Sequence, residues 1–128
     1  MRDPTFLGLD EVLELHADQI ERYGGSPGIR DLGLLESALA LPAATFDGRF
    51  LHESVFEMAA AYLFHLAQNH AFIDGNKRIA LMAAIAFLGL NGLSVVADAD
   101  PLLRLVLDVA EGRSSKARVA VFFEKNAR

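Results

Sequence analysis

The segment "NHAFIDGNKRIA", residues 69–80, decides the fold because it separates the two most apolar stretches of the chain. The stretch before it can begin at Glu53 or Ser54 and runs to about residue 69, with apolar residues on nearly all sides of a helix. The stretch from about residue 76 to residue 90 has the same character. A helix that is apolar all round is buried. The pattern therefore predicts two buried helices that meet at a short polar loop.

The second of these helices begins with charges of the unfavourable sign. Lys77 and Arg78 fall in its first turn, where the partial positive charge of a helix N-terminus makes each cation cost roughly a few tenths of a kcal/mol. Carboxylates would be favoured at the same positions. The arrangement is explained if the start of this helix faces an anionic ligand.

Before the loop, the sequence predicts two helices and a turn. Apolar residues follow helical spacing from Leu9 to Tyr23, where "YGG" ends the helix because glycine can adopt the left-handed cap conformation. "SPGIRD" is a turn, and Asp31 is a plausible N-cap for a helix that ends before Pro42. Residues 42–52 lack a helical period, and Asp47-Gly48 indicates a short hairpin. We expect a flap there.

After the loop, two further helices are expected. Asp100, with Pro101 at the first helical position, opens one of them, and Ser114 or Ser115 opens the other. The fold class is therefore all-α, a compact bundle of about six helices with a short β-hairpin flap. A chain of 128 residues that is 52% hydrophobic can bury one core, so we expect one domain over residues 1–128.

The composition excludes several classes of function. The chain has no Cys, which excludes disulfides and thiolate sites and fits a reducing cytoplasm. A net charge of −5 argues against a broad nucleic-acid surface. The N-terminus lacks the apolar core of a signal peptide, and the longest apolar run, residues 79–90, falls short of the roughly 20 residues that cross a bilayer. We expect a cytoplasmic protein without direct contact to nucleic acid or membrane.

The polar residues of the loop suit phosphate chemistry. Backbone N–H groups that follow Gly75, together with Lys77 and Arg78, can bind an anion. Asp74 supplies a hard oxygen suited to Mg²⁺, and His70 can accept a proton near neutral pH. A phosphate clamp, a metal ligand and a base within nine residues suggest phosphoryl or nucleotidyl transfer.

Each of these residues also has a purely structural interpretation. His70 could be a capping or core residue, Asp74 could be the N-cap of the next helix, and Lys77 and Arg78 could be solvated charges. Phe72 is expected to anchor the loop in the core. The combination of the four polar residues, more than any one of them, favours a site.

Other site patterns do not fit the sequence. A Walker A motif needs Ser or Thr after the lysine, where Arg78 stands. His65 and His70 are five residues apart, whereas two zinc ligands on one helix face are four apart. His16 and His52 are isolated in the sequence. "GGSPG" follows a helix and not a strand, which argues against a dinucleotide site.

The segment "HAFIDGNKR", residues 70–78, resembles the "HxFx[D/N][G/A]NKR" motif of the death-on-curing (Doc) toxins, a branch of the Fic superfamily. Residues 15–39 are similar to the N-terminal block of that branch, and "LGLNG", residues 88–92, to the end of its motif helix. The resemblance implies a type II toxin-antitoxin toxin. Such a toxin is a kinase that transfers the γ-phosphate of ATP to a threonine of elongation factor Tu and so inhibits translation.

The resemblance also implies a role for each motif residue. His70 would be the base that takes the hydroxyl proton, and Asp74 the Mg²⁺ ligand. Phosphates would be held by Gly75, Asn76, Lys77 and Arg78. Phe72 would anchor the loop. The flap would line up a target segment by adding a strand to an edge.

Two positions separate this branch from the Fic enzymes that transfer AMP, whose motif is "HPFxxGNGRxxR". Lys77 replaces the second motif Gly, and Leu81 occupies the position of the final Arg. The lysine side chain would fill the space that the first phosphates of the nucleotide occupy in those enzymes, so the nucleotide would bind in another orientation. AMP transfer remains an alternative because Gly75 and Asn76 are shared, and a catalytically dead binding module is a second alternative.

Regulation is expected to come from a second chain. The "[S/T]xxxE[G/N]" segment by which some Fic proteins inhibit themselves is not found in the sequence. The resemblance implies a small cognate antitoxin whose C-terminal segment is disordered until it binds. We expect that segment to form a helix in a groove of this domain.

Overall fold

Two buried helices, α3 (Val55–Asn69) and α4 (Asn76–Leu90), form the centre of the fold. A computed structural model describes residues 3–128 of the chain. Both helices bury small side chains, which let packed helices approach closely. These residues are Ala59, Ala60, Ala61 and Ala67 in α3 and Ala80, Ala83 and Ala84 in α4. The predicted pair of buried helices is confirmed, and the loop between them has its ends fixed by the core.

Four further helices surround this pair, as the sequence predicted. They are α1 (Leu9–Tyr23) and α2 (Leu32–Ala40) before it, and α5 (Ala99–Ala110) and α6 (Lys116–Asn126) after it. A short 3₁₀ turn, Leu41–Ala43, follows α2. Helices α2, α5 and α6 pack on α3, and α1 and α5 pack on α4. The all-α architecture is confirmed.

The predicted flap is a hairpin of two short strands. β1 (Thr45–Phe46) pairs antiparallel with β2 (Arg49–Phe50), with Thr45 opposite Phe50. Asp47 and Gly48 form the turn with φ values of 54° and 76°, as expected for an Asp-Gly hairpin turn. The two strands form a two-stranded sheet, and an isolated hairpin of this kind is at best marginally stable by itself.

Polar N-cap side chains fix where three of the six described helices begin. The Ser54 hydroxyl accepts from the Glu57 N–H at 3.1 Å, and the Glu57 carboxylate accepts from the Ser54 N–H at 3.0 Å, a reciprocal capping box. Asp31 caps α2 by accepting from the Leu34 N–H at 2.9 Å. Ser115 caps α6 by accepting from the Arg118 N–H at 3.2 Å. These predicted caps are confirmed.

One predicted helix start and one predicted cap conformation were wrong, although α1 ends at Tyr23 as expected. Helix α5 begins at Ala99, with Asp98 at the N-cap position, so Pro101 is the third helical residue and not the first. Proline is tolerated there because the first N–H groups of a helix have no intrahelical acceptor. Gly24 after α1 has a positive φ of 84°, but its ψ of 172° is extended and not left-handed.

Within residues 3–128, no helix combines the length and the apolar character that a bilayer span requires.

A histidine at the contact of α3 with α6 makes stability depend on pH. Lys116 Nζ lies 3.3 Å from His65 Nε2 and donates to it, which requires a neutral ring. Burial, then Lys116, then His52 lower the pKa of His65 from 6.5 to about 4. The unfolded chain therefore binds more protons than the folded chain between these pH values, so stability falls as pH drops through this window.

We expect the free energy of unfolding to fall by about 1–2 kcal/mol from pH 6.5 to pH 4, after discounting for the partly exposed ring. His65→Gln should remove this loss, because glutamine does not titrate. Urea unfolding at a series of pH values measures the effect. An unchanged pH slope in the variant would contradict the assignment to His65.

Candidate functional site

A cavity of about 370 Å³ gathers every residue that the sequence predicted for the site. It is lined by His70, Ile73, Asp74, Gly75, Asn76, Lys77, Arg78, Leu103 and Leu107. The polar residues come from the loop between α3 and α4 and from the first turn of α4. Leu103 and Leu107 belong to α5 and add an apolar wall that the sequence did not predict.

His70 has its side chain in this cavity because of an unusual backbone conformation. It follows the last residue of α3 with φ 50° and ψ 46°, in the left-handed region, which non-glycine residues rarely adopt. Its side chain is exposed, so it is not the core histidine of the structural interpretation. The residue caps α3 with its backbone and presents its ring to the cavity.

Asp74 is an exposed carboxylate held by two backbone donors. Its Oδ2 accepts from the Ser26 N–H at 3.1 Å and its Oδ1 accepts from the Gly75 N–H at 2.8 Å. These two bonds, and then the positive charge of Arg78, hold the pKa of Asp74 below its usual value. Gly75, not Asp74, occupies the N-cap position of α4, so the interpretation of Asp74 as the cap was wrong.

The Asp74 carboxylate suits a hard divalent cation. It stays ionised well into acid, and each oxygen accepts one N–H, which leaves lone pairs for a metal. Among the residues that the structure describes, no group of three or more acidic or histidine side chains could enclose a metal ion. A cation here would take its remaining ligands from substrate oxygens and water, as Mg²⁺ does in phosphate-binding sites.

The start of α4 supplies donors for an anion. The first helical hydrogen bond runs from the Ile79 N–H to the Gly75 carbonyl oxygen at 3.0 Å, so the N–H groups of residues 76–78 have no acceptor within the helix. The Asn76 side chain instead closes the loop: its Oδ1 accepts from the Phe72 N–H and its Nδ2 donates to the Phe72 carbonyl oxygen, both at 3.0 Å.

The two cations of the first turn are held differently. Arg78 is half-buried, and its Nη1 donates to the Gln19 carbonyl oxygen in α1 at 3.2 Å. Lys77 is exposed, and no hydrogen-bond or ion-pair partner for its ammonium lies within residues 3–128. Lys77 is therefore the cation with the larger freedom to meet a ligand in the cavity.

Sequence reasoning missed the part that α1 has in the site. His16, which is isolated in the sequence, is buried and has its Nε2 2.8 Å from the Asp74 carbonyl oxygen. Its ring also stacks on Phe72, with centroids 3.8 Å apart. Phe72 is buried, as expected of a loop anchor. No local spacing could reveal a contact between residues 58 positions apart.

The glycine at position 25 is explained by close contact with the site. Its φ is +120°, and a Cβ there would lie 2.8 Å from Asp74 Oδ2 and 2.9 Å from Arg78 Nη2. Both distances are shorter than real Cβ contacts. The backbone at Gly25 therefore passes directly over the Asp74 carboxylate, where a side chain has no space.

Comparison with known proteins places the sequence in a family. The family model described as "Fic/DOC family" matches residues 6–88. The chain is 47% identical over 78 residues to "Toxin Doc" of Mycolicibacterium smegmatis, a match that covers 61% of this chain and 60% of that protein. It is 39% identical over 114 residues to "Protein kinase doc" of Escherichia phage P1, which covers 87% of this chain and 86% of that protein. The chain belongs to the Fic/DOC family.

Proposed function

We propose that this chain is the toxin of a type II toxin-antitoxin system and acts as a Doc-type protein kinase. Its reaction is the transfer of the γ-phosphate of ATP to a threonine hydroxyl of elongation factor Tu, in the cytoplasm. The names of the two relatives, a toxin and a protein kinase, support this proposal. The observation that carries it is an exposed Lys77 on the same cavity as His70 and Asp74.

In the proposed reaction, the threonine oxygen attacks the γ-phosphorus while the bond to the β-phosphate oxygen breaks and ADP leaves. His70 accepts the proton of the attacking hydroxyl. Lys77, Arg78 and the N–H groups that begin α4 hold the phosphates and offset their growing charge. Asp74 would hold Mg²⁺, which when bound draws electron density from the phosphate oxygens.

The position of Lys77 favours phosphate transfer over AMP transfer. A glycine at the second position of the helix lets phosphates lie against the backbone, whereas the lysine side chain occupies that space and places its charge further out in the cavity. Mass spectrometry of elongation factor Tu after incubation with this chain and ATP tests the proposal. A phosphate adduct on threonine is expected, and an AMP adduct would overturn it.

The hairpin flap is proposed to align the target segment. Strand β1 is short and exposed, with Phe46 at its end 75% exposed, whereas Phe50 of β2 is half-buried against the core. Such an edge can accept an added strand, with backbone hydrogen bonds for affinity and a large side chain for contact. We propose that residues 1–128 are one Fic/Doc domain that carries both the chemistry and this docking edge.

The antitoxin is proposed to bind a groove of about 440 Å³ between α1 and α4. The groove has an apolar floor with acidic residues beside it, and its lining includes Leu7, Leu15, Ala86, Leu90, Glu11, Glu14 and Asp18. A disordered segment that folds into an amphipathic helix with basic flanks fits this surface. The acidic residues would attract the basic flanks of the segment, and the apolar floor would bury the apolar face of its helix.

Charge reversal tests this assignment of the groove. In Glu11→Lys/Glu14→Lys, we expect the cognate antitoxin to bind at least about 10-fold more weakly, because two attractive pairs become repulsive. Isothermal titration calorimetry measures the change. Glu124→Lys, on the distant α6, is the matched control, and equal binding by both variants would place the antitoxin elsewhere.

A further inference from the structure

A short segment of the chain crosses the loop between α3 and α4 and pairs with it. The Ile73 N–H donates to the Gly28 carbonyl oxygen at 3.1 Å, and the Arg30 N–H donates to the Ala71 carbonyl oxygen at 2.8 Å. Ile29 and Phe72 form an isolated antiparallel bridge. Residues 28–31, here called the strap, therefore lie beside the loop that carries His70.

The side chain of Arg30 reaches from the strap to the end of α3. Its Nε–H donates to the His70 carbonyl oxygen at 2.6 Å, and its Nη2 donates to the Asn69 carbonyl oxygen at 3.3 Å. The last carbonyl groups of a helix have no intrahelical donor and carry partial negative charge. A guanidinium there gains charge-assisted hydrogen bonds, and its fork spans two neighbouring carbonyls.

The left-handed conformation of His70 needs such a restraint. A non-glycine residue in this region costs about 1 kcal/mol or more. With φ 50° and ψ 46° at His70, a return to right-handed values would continue α3 and turn the imidazole out of the cavity. The carbonyl that Arg30 holds is that of His70 itself, so the contact acts directly on the peptide unit that sets the direction of the ring.

We propose that Arg30 is a positioning residue that fixes the direction of the His70 imidazole from outside the cavity. The guanidinium donates to the backbone carbonyl oxygens of His70 and Asn69, and Arg30 is not among the residues that line the cavity, so its proposed action is through the backbone of His70. The inference rests on the proposed function, in which His70 accepts the hydroxyl proton. It adds a residue of the strap to the machinery of that reaction.

Kinetics of two variants test the proposal. Arg30→Met should lower kcat about 100-fold with little change in KM for ATP, because a base displaced by about 1 Å loses rate on that order while the phosphate donors stay in place. The kcat of Arg30→Lys should lie between those of Arg30→Met and the wild type, since one ammonium cannot span both carbonyls. Arg22→Met is the matched control: Arg22 is exposed and pairs with Asp18 on α1, and its loss should leave kcat unchanged.

Spectroscopy separates positioning from mere stabilisation. The backbone chemical shifts of His70 report its φ, so NMR should show them move toward helical values in Arg30→Met and less so in Arg30→Lys. A raised KM with unchanged kcat would overturn the proposal in favour of a phosphate contact. Unchanged His70 shifts, or activity lost only in proportion to folded protein in both variants, would also overturn it.

The same measurements distinguish failure of this inference from failure of the proposed function. If the wild-type chain transfers no phosphate, the proposed function fails, and the NMR shifts still decide whether Arg30 sets the conformation of His70. If the wild type is active and Arg30→Met matches it in kcat, the inference alone fails.

Discussion

His70→Ala is expected to lower the rate of phosphate transfer by about 100- to 10,000-fold, the range in which a general base contributes. The His70 ring borders the cavity beside Asp74, and alanine offers no group that can accept the hydroxyl proton. Binding of ATP should change little, because the phosphate donors lie on α4. Quantitative mass spectrometry of the phosphorylated target, together with growth arrest on induction, measures the loss.

A second variant separates loss of the base from a change of the backbone at position 70. His70→Asn keeps a residue that tolerates the left-handed conformation and also lacks a suitable base, so it should be as inactive as His70→Ala while unfolding at the wild-type temperature. Growth arrest that persists in both folded variants would contradict catalysis. That outcome would favour the binding-module alternative, in which the chain acts by docking alone.

Lys77→Gly is expected to have the second largest effect, a fall in phosphate transfer of about 10- to 100-fold. The ammonium would make a charge-assisted contact to phosphate, worth roughly 1.5–3 kcal/mol, and the glycine would also reopen the space beside the backbone of α4. Part of the loss should appear in KM for ATP, because the contact exists in the ground state too. Initial rates over a range of ATP concentrations measure both parameters.

The control for this change is a lysine outside the cavity. Lys125→Gly would alter the last turn of α6 as well as a charge, so Lys125→Ala, on an exposed position, is the better match and should leave both parameters unchanged. Wild-type rates in Lys77→Gly would show that Lys77 does not hold the phosphates. An AMP adduct in that variant alone would instead show that the lysine sets the orientation of the nucleotide.

Local signals in the sequence predicted most of the fold. The helical spacing of apolar residues predicted α3 and α4. Single polar residues such as Asp31, Ser54 and Ser115 marked where helices begin, because a cap acts on N–H groups two or three residues away. The start of α5 was misplaced for the same local reason: proline fits any position of the first turn, so Pro101 could not identify the first helical residue.

The candidate site was predictable only as far as its residues are close in sequence. The polar residues proposed for the reaction all lie in the loop and the first turn of α4. They line one cavity, as expected. The contacts from His16 and Arg30 come from residues 58 and 40 positions away from their partners. Such pairs depend on how α1 and the strap pack against the loop, and hydrophobic spacing within one helix contains no information on that packing.

The buried alanines of α3 and α4 couple the geometry of the site to the packing of the core. Because alanines such as Ala60 and Ala83 are completely buried, a larger residue at either position has no space unless neighbouring atoms or the helices themselves move. The loop between the helices spans only residues 70–75, so such a movement would be transmitted to His70 and Asp74. A larger residue at such a core position is therefore expected to lower activity as well as stability.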